Sequence, residues 1–429
     1  MVAELIAVGS ELLTPHRRDT NTLWLTEQLN ARGIYVARKS VVGDDHEALK
    51  KLFRSAGRRS EMVIACGGLG PTFDDVTREA LAEALGLELK YHAEIFGRIE
   101  ALYRRRGLVP TDNNRRQAMV PEGALYFKNN VGTAPGLLVR RGGVTYALLP
   151  GPPAELQAVF FAMAAELFAG VDTEPVFSRQ FKLFGIPESA IDARLRDFPS
   201  TPGIEWSILA SYGQVEIHLR ARAKSEAMAQ RAFESAGAEL RGRFGANIFG
   251  TDAETLESVV VGLLRRNGHT LATAESCTGG WLARRITDVP GSSECFWGGV
   301  VSYHNEAKEA LLGVARETLE RHGAVSRATA LEMARQVRER SGSDVGAAIT
   351  GVAGPGGGTE DKPVGTVYIS AVSADGAESC HRHLFPGDRE TIRFQATQAA
   401  LAMIREPYVD GEFENMYIID EKGGRSGTD

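Results

Sequence analysis

The sequence predicts an α/β protein of several domains that opens on a doubly wound, mostly parallel sheet. Three observations carry this. Short apolar runs alternate with amphipathic segments from the start of the chain to Leu85, the pattern of strands and crossover helices. The apolar runs end in acidic or glycine-rich turns, which right-handed crossovers gather along one sheet edge. The same strand, turn and helix order returns after Thr251, beyond a stretch of different character. A chain of 429 residues has room for two or three domains.

Val2 to Val8 is an apolar run ending in Gly9-Ser10-Glu11, a first buried strand. Asp19-Thr20-Asn21 caps a helix through Leu25 and Leu29 to a stop at Gly33. Ile34 to Val42 is the next strand, ending in Gly43-Asp44-Asp45, and a helix follows with Leu49, Leu52 and Phe53 on one face. Glu61 to Ala65 is a third strand, entering Cys66-GGLGPTFDD and a helix from Val76 to Leu85. Gly136 to Arg140 and Val144 to Leu149 flank a two-glycine hairpin turn, and Pro150-Gly-Pro-Pro153 precedes a helix from Ala154 to Phe168. The first domain is placed at residues 1–170.

Residues 171–250 read as a small α+β domain. Phe177 to Leu183 is a strand, Pro187 to Phe198 a helix, Glu205 to Arg222 a hairpin across Tyr212-Gly213, and Lys224 to Phe244 a helix. The pattern resembles a KH-like module without a GxxG loop between basic helices, so a spacer or dimerisation role is expected. In 251–405 the expected helices are Leu256 to Arg266, Trp281 to Val289, Ser326 to Arg340 and one starting at Pro386-Gly-Asp-Arg389. The expected strands are His269 to Ala274, Cys295 to Tyr303, Val345 to Thr350, Gly365 to Val372 and Glu378 to Phe385. Residues 406–429 hold seven acids and two bases and read as a disordered acidic tail.

The tail supplies nearly all of the net charge of −6. The remainder has no basic field for nucleic acid, and no nucleic-acid partner is expected. Cys66, Cys277, Cys295 and Cys380 are scattered with no CxxC pair, against a zinc knuckle or disulfide framework. The start of the chain has no basic leader, and no apolar run approaches a membrane span. A cytoplasmic protein without membrane contact is expected.

Two constellations carry chemistry. In the first domain, GGLGPTFDDVT offers backbone N–H groups to a phosphate at a helix N-terminus. Asp74 and Asp75, joined by Asp44 and Asp45 from the neighbouring strand end, could hold a divalent metal between phosphates. Lys128 and Asn130 could balance the substrate's charge. The plainer reading is a tight turn with helix-capping aspartates. The Lys-Ser/Thr ending of a Walker A loop is missing, and the loop is not GxGxxG.

In the third domain, ATAESCTGG (Ala272 to Gly280) presents Glu275, Ser276, Cys277, Thr278 and Gly279 between a strand and a helix N-terminus, whose free amides can hold an anion or oxyanion. A simple N-cap would need only one of these residues. Ser276 and Cys277 are rival nucleophiles. His304 stands beside Tyr303, while His381 and His383 alternate on a strand where exposure is expected, so no histidine is placed for a triad. Lys308, at a helix start after the next strand, can act as base if burial and the helix dipole depress its pKa. Tyr303 could relay or position the proton. Thr350 ends a third strand before Gly351 and the GVAGPGGG loop, a candidate oxyanion hole or phosphate cradle. Arg389 and Arg393, one helical turn apart, suit a phosphate or carboxylate clamp. Each of these residues alone has a plainer reading as surface charge or strand-end capping. Their joint placement at successive strand ends favours a site.

GSELL, DTN, VGDD, CGGLGPTFDDVT, NNVGTAPG and LPGPPAEL together resemble the molybdopterin-binding-like domain that opens CinA-family proteins. The resemblance implies a site for a pyrophosphate-bearing ligand and metal-dependent hydrolysis of ADP-ribose. The residues it carries over are Gly67, Gly68, Gly70, Thr72, Asp74, Asp75, Asp44 and Asp45. TAESCTGG, ITDVPGSS, SYHNEAK, HGAVS, ITGVAGPGGG, KPVGTV and FPGDRETIR resemble the C-terminal domain of the same family, the nicotinamide mononucleotide deamidase type. This implies metal-free hydrolysis of nicotinamide mononucleotide to nicotinate mononucleotide and ammonia. Ser276 would be the nucleophile, Lys308 and Tyr303 would activate it, and Thr350 and one of the two arginines would position substrate. No cofactor is expected there, and the middle domain makes a homodimer plausible. The alternatives are a regulatory binding module of competence or repair with vestigial pockets, or molybdopterin handling.

Overall fold

The computed structural model describes residues 1–211, 213–411 and 413–419. The chain divides into two compact units, Met1–Phe177 with Arg222–Glu226, and Ser178–Ala221 with Ala227–Asp429.

In the first unit the elements are β1 (Val2–Val8), α1 (Asn21–Asn30), β2 (Tyr35–Val42), α2 (His46–Ala56), β3 (Met62–Cys66), α3 (Thr77–Leu85), β4 (Leu89–Tyr91), α4 (Ala93–Arg105), β5 (Met119–Pro121), β6 (Leu125–Phe127), β7 (Gly136–Arg141), β8 (Val144–Leu149) and α5 (Pro153–Leu167). The main sheet runs β2-β1-β3-β8-β7-β6. Its first four strands are parallel, and β7 and β6 add antiparallel. β3 is buried along its whole length, as a strand covered by helices on both faces must be. Leu49, Phe53, Ala80, Leu81 and Ile95 fill one face, and Leu25, Leu29, Leu156 and Phe160 the other. One acid sits inside: Glu4 on β1 is fully buried, and Arg59 meets it with two hydrogen bonds of 2.8 and 2.7 Å.

The KH-like module, most of which falls in the second unit, is formed by β9 (Val176–Leu183), α6 (Glu188–Arg194), β10 (Ile204–Ser211), β11 (Gln214–Arg222), α7 (Glu226–Phe244) and β12 (Ile248–Thr251). Its sheet order is β10-β11-β9-β12. There follow α8 (Leu256–Asn267), β13 (Leu271–Glu275), α9 (Trp281–Thr287), β14 (Phe296–Val301), α10 (Asn305–Ala307), a π-helical turn at Lys308–Leu312, α11 (Arg316–His322), α12 (Arg327–Ser341), β15 (Val345–Gly351), β16 (Thr366–Ser373), β17 (Glu378–Leu384), α13 (Arg389–Arg405) and β18 (Ile418–Ile419). The sheet β14-β13-β15-β16-β17-β18 is parallel through β15 and antiparallel beyond. Helices α8, α9 and α13 cover one face, and α12 with the 312–319 segment covers the other.

Two expectations are corrected here. The acidic tail is not free over its described part. Phe413 stacks on Phe184 at 6.0 Å, Tyr417 packs on Phe385 at 5.2 Å, and β18 pairs with β17. The aromatic residues between the acids bury enough apolar surface to order the segment; residues 420–429 and Glu412 lie outside the described residues. His383 is not exposed either. It is buried and stacked on Phe385, and burial pushes its pKa down to about 3. No helix among the described residues is long and apolar enough to cross a membrane.

Candidate active site

β13 lies between two parallel neighbours and is buried throughout, so the residue that follows it emerges at a fixed point of the sheet edge. That residue is Ser276. Its amide extends the ladder to Ile349 O (2.9 Å), while Ser302 N, just past β14, bonds Glu275 O (2.8 Å). Lys308, only 1% exposed, reaches this point from the π-helical turn. Its Nζ lies 3.0 Å from Ser276 Oγ, 2.8 Å from Ser302 O and 3.5 Å from Tyr303 O. Burial lowers the lysine pKa from its ordinary value. A neutral amine has two N–H donors and one lone pair. The two carbonyls can take the donors, leaving the lone pair for the Ser276 hydroxyl proton.

The rival nucleophile is less well served. Cys277 is buried, and burial pushes its thiol up to about 12, so almost no thiolate forms at neutral pH. The helix N-terminus is also not free. Glu275, buried at the strand end, accepts from Gly280 N (3.0 Å), Leu282 N (3.0 Å) and Ala283 N (2.8 Å). The chain's own carboxylate occupies the place expected for an oxyanion on α9. Gly280 is required at that turn by its φ of +90°, with Val301 Cγ2 3.4 Å from where a Cβ would stand.

The remaining candidates line up around this pair with altered roles. The Tyr303 side chain is 60% exposed, and its phenol accepts from Arg389 Nη2 at 2.9 Å. Among the described residues that phenol bonds neither Ser276 nor Lys308; it is the Tyr303 carbonyl that touches the lysine. Arg389 also donates to Gly354 O (2.6 Å), tying the glycine-rich loop to the start of α13. Arg393 donates to Thr278 O (2.7 Å) and lies 5.3 Å from the Trp281 ring centre, clasping the turn that contains Gly279. Thr350 is buried, and its hydroxyl donates to Ala324 O (2.7 Å). At Gly351 a Cβ would meet Thr366 O at 2.7 Å, so the β15–β16 approach needs glycine there. The Ser302 carbonyl and the capping role of Glu275 were not anticipated. An acid as the last residue of a buried strand, six positions before a helix, was the available signal for Glu275.

The corresponding turn of the first unit holds itself together. Gly67 N bonds Leu149 O (3.0 Å), and Thr77 Oγ1 bonds Gly67 O (2.8 Å). Asp75 accepts from Gly70 N (2.8 Å), Thr72 N (2.8 Å) and the Thr72 hydroxyl. Arg116 reaches in to the carbonyls of Thr72 and Asp75. Asp44 accepts from Ser10 N (2.8 Å), Asp45 caps α2 through Ala48 N (3.0 Å), and Asp74 is exposed. The four aspartates therefore do not assemble a preformed metal centre. Among the described residues the group of donors that converges is His46, Glu47 and Glu83, and Lys50 already pairs with both glutamates. Gly68 has its carbonyl on Thr77 N (3.2 Å). Lys128 and Asn130 border a separate cavity to which no residue of the 67–75 loop contributes.

Comparison with known proteins agrees with this architecture. Three family models match in succession: "Probable molybdopterin binding domain" over 4–169, "Damage-inducible protein CinA KH domain" over 178–250 and "CinA C-terminal domain" over 253–408. A CinA-like protein of Koribacter versatilis is 43% identical over 417 residues, covering 95% of this chain and 100% of the relative. One of Solibacter usitatus is 42% identical over 407 residues, covering 94% and 98%. The crystal structure of the competence/damage inducible protein CihA from Agrobacterium tumefaciens is 40% identical, covers 35% of this chain and 92% of its own, and superposes with a TM-score of 0.35. With relatives of this identity matched along their whole length, the chain belongs to the CinA family.

Proposed function

We propose that residues 251–405 hydrolyse the carboxamide of nicotinamide mononucleotide to nicotinate mononucleotide and ammonia. The observation that supports this most directly is the buried contact of 3.0 Å between Lys308 Nζ and Ser276 Oγ. Neutral Lys308 takes the Ser276 proton as Oγ attacks the amide carbon. The resulting ammonium returns that proton to the departing nitrogen, the C–N bond breaks, and ammonia leaves an ester on Ser276. Water then attacks the ester, Lys308 again accepts and returns a proton, and the carboxylate is released. Because Glu275 occupies the amides of α9, the developing oxyanion must use other donors, and the glycine-rich loop after β15 is the candidate. Arg389, between the glycine-rich loop and the Tyr303 phenol, and Arg393 beside the turn are the two candidates for the substrate phosphate.

The test is ammonia release from nicotinamide mononucleotide in excess EDTA. Steady turnover by the wild type, with Ser276→Ala reduced at least about a thousandfold and Cys277→Ala retaining most activity, is expected. Turnover surviving in Ser276→Ala but lost in Cys277→Ala would move the nucleophile, and no ammonia from the wild type would favour the regulatory binding reading.

For residues 1–170 we infer a phosphate-ester role with ADP-ribose as substrate. Three cations bordering one cavity of this unit favour it. A divalent metal is part of that expectation, but its donors are not gathered, so no step is derived through it.

A further inference from the structure

We propose that the cavity between α4 and the 126–135 segment binds the phosphate or pyrophosphate group of a small-molecule ligand, with Arg98, Arg105 and Lys128 as its cationic contacts. The cavity measures about 210 Å³. One wall is a face of α4. Ile95, Arg98, Ile99, Leu102 and Arg105 recur at intervals of three and four residues, which places them along one stripe of a helix. Ile95 and Ile99 turn into the core, and the two arginines, two turns apart, stand at the rim. Lys128 comes from the other wall, one residue past β6.

None of the three cations has an ion pair or side-chain hydrogen bond among the described residues. Two carboxylates bond residues of the cavity wall. Glu94 accepts from Tyr126 OH (3.0 Å) and lies 3.1 Å from His92 Nδ1, and Glu155 accepts from Asn129 Nδ2 (2.6 Å). Three cations against two hydrogen-bonded carboxylates leave the rim with an excess of positive charge, and an anion is what lowers its potential. The polar wall is also built rather than loose. Asn129 Oδ1 accepts from Val131 N (3.0 Å) and Gly132 N (2.8 Å), and Thr133 Oγ1 takes Gln117 Nε2 (3.0 Å). Planar guanidinium groups suit the tetrahedral oxygens of a phosphate. The volume falls below the ~300–1,000 Å³ of a pocket for a whole ligand, so the space fits one anionic group with at most an attached sugar. The 67–75 loop, whose Gly70 and Thr72 amides are already taken by Asp75, is the poorer anion site of the two.

This site deepens the phosphate-ester reading of residues 1–170 and rests on it for the identity of the ligand. The experiment separates the two. Inorganic pyrophosphate is titrated calorimetrically into the full chain at low salt, with the wild type, the double variant Arg98→Gln/Lys128→Gln, and Arg141→Gln as a control for surface charge. A dissociation constant raised about tenfold or more in the double variant, with the control within about twofold of wild type, is expected. Unchanged affinity in the double variant, equal weakening in the control, or no binding to the wild type overturns the site. Hydrolysis of ADP-ribose is assayed separately. If it is absent while pyrophosphate binding still depends on Arg98 and Lys128, the activity falls and the site stands.

Discussion

The turn after β3 and the turn after β13 both leave a buried interior strand, pass through glycines and enter a helix. In both, a carboxylate of the chain takes amides that a bound anion would otherwise use: Asp75 takes those of Gly70 and Thr72, and Glu275 those of Gly280, Leu282 and Ala283. They differ in what stands beside the turn. After β13 a buried lysine meets a serine hydroxyl at 3.0 Å. After β3 the neighbouring polar groups are spent on backbone. A glycine-rich helix N-terminus is thus an invitation to an anion that the chain itself can accept. The proposed chemistry is signalled by the costly element, a buried amine held against a hydroxyl.

The sharpest way to break this comparison is to remove the amine. Lys308→Met keeps the volume of the stem and should lower kcat/KM of the proposed amidase reaction about a thousandfold, within the range of a general base that also returns the proton. The pH profile gives the sign. Because burial lowers the folded-state pKa of Lys308, the wild-type rate should rise with pH through that lowered value and level off before the ordinary lysine range. The unfolded chain holds the proton up to the ordinary pKa. Stability should therefore also rise with pH between the folded and unfolded values, and Lys308→Met should flatten that rise. Activity within about tenfold of wild type in Lys308→Met would end the proposed role.

A smaller effect separates the two carboxylates. Glu275 is buried with three amides on it, whereas Asp75 is partly exposed. Glu275→Ala should leave buried N–H groups unpaired and cost about 3 kcal/mol locally, against about 1 kcal/mol for Asp75→Ala. Hydrogen exchange of the turn amides reads this directly, with protection falling about a hundredfold in the first variant and about fivefold in the second. The reverse order would mean that the loop after β3 is the more organised site.

How far the sequence carried the argument depended on whether periodicity or contact decided the feature. β1, β3, β13 and β15 were legible because strands buried on both faces are uninterrupted apolar runs. The segment from Gly86 to Phe127 was not read: β4, β5 and β6 have three residues each, too few for a period of two to show, and α4 buries only Ile95 and Ile99, a thin apolar stripe. Ser276 and Lys308 were legible as types at strand ends. That the phenol of Tyr303 turns to Arg389, while its carbonyl turns to Lys308, depends on a side-chain direction that no spacing encodes. The aspartates are not gathered for a related reason: Asp45 caps α2, and Asp75 turns back onto the loop amides of Gly70 and Thr72. In the tail, acidity outweighed Phe413 and Tyr417 on paper, but two aromatic rings against Phe184 and Phe385 outweigh it in the fold.

That tail yields the smallest prediction, and it tests whether apolar contact or charge orders it. The segment from Val409 on lies beyond the 253–408 match to the family model. It joins β17 to the KH-like module by two kinds of contact. One is aromatic, through Phe413 and Tyr417. The other is ionic, the paired hydrogen bonds of 2.9 and 2.8 Å between Arg194 and Glu414. The ion pair holds both charges in their ionised forms, yet its side chains are 36% and 54% exposed, so water and salt screen it. Arg194→Ala should cost well under about 1 kcal/mol, while Tyr417→Ala removes a ring packed on two others and should cost about 2 kcal/mol. Exchange protection of the Met416 and Leu384 amides, which bond Gly185 O and Tyr417 O, should therefore collapse in Tyr417→Ala and persist in Arg194→Ala. Loss of protection in Arg194→Ala that high salt reproduces in the wild type would make charge, not the rings, what fastens the tail.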